Sequence, residues 1–199
     1  MQRIIERVKQ IVFKPRETWE VISTEEATVS ELFINYLLIL AAVPALASFL
    51  GRWIIGIRIP FVGVYRFSFG ASLLNAVLDY ILTVAGVWVL GKIIYLLAQN
   101  FGSTRDELRA FKLAVYTYTP YLAAGVLLII PSLGVLVVLA GIYGLYLLYI
   151  GLPIVMNTPK EKSLAYTIVV IIAVILIYVI VASIAGVVLK AFGPSLPHV

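Results

Sequence analysis

The chain has 199 residues, 62% of them hydrophobic and 13% charged, with a formal net charge of +5 and a mean hydropathy of +1.07. Soluble domains run at roughly 45–50% apolar and about 25% charged, so a soluble globular domain, a disordered chain and a charged coiled coil are all excluded. The chain has no cysteine and a single histidine, His198, which removes disulfides, thiolate metal sites and cysteine nucleophiles from consideration.

Taken in chain order, residues 1–14 alternate apolar and basic positions at helical spacing. Ile4, Ile5, Val8, Ile11 and Val12 fall within an arc of about 120°, with Arg3, Arg7, Lys9 and Lys14 on the rest of the circle. Such a helix either lies on the inner membrane surface, with Arg3, Arg7 and Lys9 at the headgroups, or packs on the inner ends of a helix bundle. Pro15 suits the first turn of a second short helix containing Trp19, Val21 and Ile22. Thr28-Val29-Ser30-Glu31 has the pattern of a capping box just before the first long apolar run.

A bilayer core of about 30 Å takes roughly 20 apolar residues in helical form. Five stretches qualify, at about 32–51, 72–98, 113–130, 133–156 and 164–189. They predict an all-α integral membrane protein, a five-helix bundle preceded by the amphipathic helix. The predicted division is an amino-terminal segment 1–30, a membrane domain 31–190 and an outer tail 191–199. Between the first two spans, Val64 to Phe69 alternates with a period of two, which reads as a short ribbon at the outer interface. The Pro131-Ser132 turn leaves almost no connection between spans three and four, which predicts an antiparallel hairpin.

Ten basic residues lie in the amino-terminal segment and in the loops between spans two and three and between four and five, against four on the other side. By the positive-inside rule the N-terminus is cytoplasmic and the C-terminus outside. The first 30 residues do not read as a cleavable signal peptide. The net charge is accounted for by topology and attraction to anionic lipid, with no call for nucleic acid.

Inside the spans, Asp79 is the lone carboxylate. A charge near the bilayer centre costs about 2.5–3.5 kcal/mol on insertion scales and turns inward or toward water. Asn75, Asp79 and Thr83 form a polar stripe on one face of the second span. Asp79 is then either a proton or cation site, or the partner of an arginine from the first outer loop or of a tyrosine on a neighbouring helix. Lys92 lies about 20 Å further along by helical rise and snorkels to the inner interface. Tyr116, Tyr118 and Pro120 open the third span as a polar cluster around a proline that removes a backbone donor. In the fourth span Gly134, Gly141, Gly144 and Gly151 share a face suited to close helix packing. Tyr143, Tyr146 and Tyr149 take the opposite face, where they would meet the polar stripe of span two. No HExxH sequence, two-aspartate pair, serine–histidine dyad or phosphate loop occurs, so neither an enzyme nor a cofactor is expected.

The chain resembles the Ypt-interacting-protein (Yip) family. The matching segments are Lys14-Pro15-Arg16-Glu17-Thr18-Trp19, Ala114-Val115-Tyr116-Thr117-Tyr118-Thr119-Pro120, Ile130-Pro131-Ser132-Leu133-Gly134, Ile142 to Pro153, and Thr158-Pro159-Lys160-Glu161-Lys162. The resemblance implies five spans with a cytosolic N-terminus and an external C-terminus. Eukaryotic members act in vesicle traffic with prenylated Rab-type GTPases. The long polar N-terminal domain of those members is missing here, so the chain is similar to the short prokaryotic branch, and Rab binding is not carried over. The function expected is a scaffold or assembly partner in the cell membrane, contacting lipids and other membrane proteins or copies of itself. Two alternatives stand beside it, a small transporter with a polar path around Asp79 and a lipid-binding protein.

Overall fold

The computed structural model describes residues 2–192 apart from positions 60 and 62. Two short helices, α1 (Gln2–Phe13) and α2 (Pro15–Thr24), precede five long ones. These are α3 (Val29–Ile55), α4 (Phe69–Phe101), α5 (Glu107–Ile129), α6 (Pro131–Val155) and α7 (Lys160–Phe192). Helices α3 to α6 are each long and apolar enough to cross a membrane. Helix α7 has 33 residues, and from residue 184 onward its side chains lie outside the description. Of the expected tail 191–199, all but the first two residues fall outside the described residues, His198 among them.

The helix ends follow from local chemistry. Thr28 starts α3 by accepting from the Glu31 amide at 3.1 Å, while the Glu31 carboxylate accepts from the Thr28 amide at 2.9 Å. The two together satisfy a pair of otherwise orphaned donors. Gly102, in the left-handed region at φ 67°, terminates α4. Asp106 caps α5 by accepting from the Arg109 amide at 2.8 Å. That cap places the start of α5 six residues before the apolar run at 113, and so Lys112 lies within a helix instead of in a loop. The ribbon in the first long loop lies ahead of the sequence alternation at Val64 to Phe69 and overlaps it only at Val64 and Tyr65, Phe69 already opening α4. Its strands are β1 (Ile57–Ile59) and β2 (Gly63–Tyr65), antiparallel, with Arg58 opposite Val64.

Helices α5 and α6 pack antiparallel along their length. The four glycines of α6 form a regular ladder against α5. Gly134 meets Leu128, Gly141 meets Tyr121, Gly144 meets Thr117 and Gly151 meets Leu113. The approach is closest at the last two. A Cβ on Gly144 would lie 2.5 Å from the Thr117 carbonyl oxygen, and one on Gly151 would lie 2.6 Å from Leu113 and 2.8 Å from Trp19. On the other side of α5, Gly125 stacks against Pro44 and Gly51 against the carbonyls of Leu128 and Ile129, which fixes the α3–α5 crossing. Helix α4 packs on α3 and α5, and α7 on α4 and α6.

Candidate functional site

Two polar clusters sit at opposite ends of the bundle. We call the end with the Thr28 cap and the Gly102 and Asn157 turns the amino-terminal end. Here α1 and α2 form a hairpin whose apolar stripe is turned toward protein. Ile11, Trp19 and Ile22 are fully buried, and Ile4, Val8 and Val12 pack on the same core, while Ile5 is left 53% exposed. Trp19 is the anchor. Its Nε1 donates to the Leu147 carbonyl at 3.1 Å, and its ring meets Tyr116 edge-on at 6.2 Å. The space that Gly151 leaves without a side chain is where this indole rests.

Charged groups tie the hairpin down. Lys112, buried in α5, donates from Nζ to the Ile22 carbonyl at 2.9 Å and to the Glu25 carbonyl. A cation at the carbonyl end of α2 satisfies orphan acceptors and opposes the negative end of the helix dipole. Arg7 pairs with Glu25 and lies over the Tyr116 ring at 5.9 Å. Beneath them Tyr36 and Thr119 share a 3.0 Å hydrogen bond, and Thr119 donates to the Val115 carbonyl at 3.2 Å. Arg7 is therefore turned inward, whereas Arg3 and Lys9 are exposed. At the same end Lys92 sits over the Trp88 ring at 5.1 Å and pairs with Glu107.

The far end holds Asp79. Its carboxylate forms an ion pair with Arg52 at 3.2 Å, and the two side chains are 46% and 26% exposed respectively. A pair so exposed contributes about 0–1 kcal/mol. Asn75 donates to the Ala71 carbonyl of its own helix at 2.7 Å, and Thr83 is half-buried.

Asp79 and the Tyr116, Tyr118 and Pro120 cluster have different partners. Tyr116 faces Trp19, Tyr36 and Arg7, Tyr118 faces Tyr121 at 6.1 Å, and Pro120 lies buried beside α1. The tyrosine face of α6 does not turn toward the stripe of α4. Tyr143 donates to the Val12 carbonyl at 2.8 Å, and Tyr146 and Tyr149 are exposed. The amphipathic hairpin occupies the place that the sequence left to span two.

Three contributors were not visible as such in the sequence, namely Trp19 as an anchor, Lys112 as a clamp and Glu25 as the partner of Arg7. Trp19 had a signal, since Trp19 and Ile22 lie three residues apart on one face of α2. Among the described residues no three His, Cys, Asp or Glu side chains gather as a metal site.

The Yip1 domain family model matches residues 9–183, from the middle of α1 through most of α7. The chain belongs to the Yip1 domain family. It is 29% identical over 156 residues to the inner membrane protein YohC of Escherichia coli K12, covering 77% of this chain and 80% of that one. The protein of the same name from Escherichia coli O6:H1 matches to the same extent. No solved structure matches. With its long apolar helices, the chain is a multi-pass protein of the cell membrane.

Proposed function

We propose that the chain is a non-enzymatic five-span scaffold or assembly partner in membrane organisation, contacting lipids and other membrane proteins or copies of itself. In this topology residues 1–30 enter from the cytoplasm, 31–190 form the membrane domain, and 191–199 lie outside. The excess of basic residues in the amino-terminal segment and two of the loops supports the orientation, and the apolar sequence of 164–189 supports a fifth crossing by α7. The scaffold role is carried by one observation. The charged and tyrosine side chains placed furthest inside the helices are engaged by other parts of the same chain, as in Lys112 on α2, Tyr36 on Thr119 and Asp79 on Arg52, although the buried hydroxyls of Ser72 and Thr117 have no partner.

The exposure of the Arg52–Asp79 pair favours the second possibility, a small transporter or channel with Asp79 on its path. Purified protein in proteoliposomes separates the two. A scaffold gives no protein-dependent solute or proton flux, and Asp79→Asn changes only stability or self-association. Flux through the wild type that is lost in Asp79→Asn would overturn the scaffold and establish the path.

A further inference from the structure

Helices α1 and α2 enter the bundle and leave it at the same end. Arg7 lies at Tyr116, whereas Val12 and Phe13 lie beside Pro120, Ala124 and Ala140 further along α5 and α6. The Val12 carbonyl accepts from Tyr143. Helix α2 then returns past Leu147 to Lys112. Tyr143 is twelve residues from Val155, the last residue of α6, which lies at the bundle's amino-terminal end, about 18 Å by helical rise, in a bilayer core of about 30 Å. Exposed Ile34, Leu96 and Leu164 show that outward apolar surface elsewhere on the bundle extends almost to that end. The turn between α1 and α2 is therefore at mid-bilayer depth.

The outward face of that turn carries four charged side chains beside an exposed Phe13. Lys9, Lys14, Arg16 and Glu17 are all exposed, and Lys14 and Glu17, 3.6 Å apart, have side chains 68% and 74% exposed. From mid-bilayer a lysine or arginine stem is too short to snorkel to the headgroups. Charges and irregular backbone persist at such depth only where protein or water covers them. We infer that the α1–α2 hairpin is a re-entrant element whose charged face lines a hydrated recess, open at the amino-terminal side and reaching about halfway across the membrane. The inference rests on α5 and α6 crossing the bilayer and not on the direction in which they cross.

The natural lack of cysteine makes single-cysteine labelling clean. Lys14→Cys and Glu17→Cys report on the turn. Leu139→Cys reports on an exposed apolar position of α6, and Gln2→Cys marks the amino-terminal side. In sealed vesicles, a membrane-impermeant maleimide labels the two turn cysteines at least tenfold faster than Leu139→Cys, and from the side that labels Gln2→Cys. In a second variant, Phe13→Cys with Ala140→Cys, a short bis-maleimide joins the two positions. Turn cysteines as inert as Leu139→Cys, or reactive from the opposite side alone, would overturn the recess. So would labelling of the turn without the Phe13–Ala140 cross-link, since the hairpin would then lie on the surface. Capture of the turn cysteines by a second copy that shields them from the reagent would also overturn it. If Gln2→Cys and the turn label together from the outside, the recess stands and the proposed orientation fails.

Discussion

Replacing Gly144 by alanine tests the α5–α6 contact directly. The added Cβ would come within 2.5 Å of the Thr117 carbonyl oxygen, well inside the 3.4 Å at which ordinary contact begins. The obstacle is backbone in the middle of a helix, so no rotamer change relieves it, and the two helices must move apart along the whole glycine ladder. Overpacking of this kind costs typically 1–3 kcal/mol, and the contact belongs at the upper end. Against it stands the better helix propensity of alanine, about 1 kcal/mol over glycine. The net expectation is a loss of about 2 kcal/mol. Gly86→Ala supplies the control, because nothing lies within 4 Å of its Cβ position and only the propensity gain of about 1 kcal/mol remains. Reversible unfolding in mixed micelles by sodium dodecyl sulfate titration, followed by circular dichroism, measures both. The two variants should differ by about 3 kcal/mol with opposite signs. If Gly144→Ala matches wild type, the close approach at Thr117 does not determine how α5 and α6 pack.

Other outcomes follow from the clamp on the hairpin. Trp19→Phe keeps most of the buried ring and loses the hydrogen bond to the Leu147 carbonyl, costing about 1 kcal/mol in the same titration, whereas Trp19→Ala costs about 3–5 kcal/mol. Lys112→Met leaves the Ile22 and Glu25 carbonyls without their donor and should weaken hairpin docking by about 1–3 kcal/mol. Faster tryptic cleavage at Arg16 in bilayer nanodiscs is the readout, and an unchanged rate counts against the clamp. Arg52→Ala removes a half-exposed pair and should shift stability by less than about 1 kcal/mol. A larger loss would refute the reading of this pair as a weak, solvent-screened contact.

The long helices were legible in the sequence because roughly 20 apolar residues in a row have few other uses. Their ends were less so. Asp106 begins α5 ahead of the apolar run because a cap needs only one side chain and two or three orphaned amides, and hydropathy does not register it. The glycines of α6 were visible as a face but not as unequal partners. Spacing makes Gly134 and Gly144 look alike, while the first meets a flexible Leu128 methyl at 3.7 Å and the second a rigid carbonyl at 2.5 Å. The amino-terminal hairpin shows a different limit. An apolar stripe between basic residues has the same pattern whether it faces lipid or protein, and only the presence of a matching groove decides. That groove is built by Tyr143, Leu147 and Gly151, more than a hundred residues away, so no local window contains it. The destination of Lys112 was hidden for the same reason, since its two acceptors are backbone carbonyls.

The distance in sequence between the hairpin and its groove also orders events in time. Trp19 bonds a carbonyl 128 residues later, and Val12 receives a bond from a side chain 131 residues later. At 5–20 residues per second, synthesis leaves the first two helices without a berth for on the order of ten seconds. In that interval their apolar stripe needs another host, and a membrane surface suits a basic amphipathic segment. The hairpin is thus made well before its berth, and it can close over Gly151 only once α6 has been synthesised.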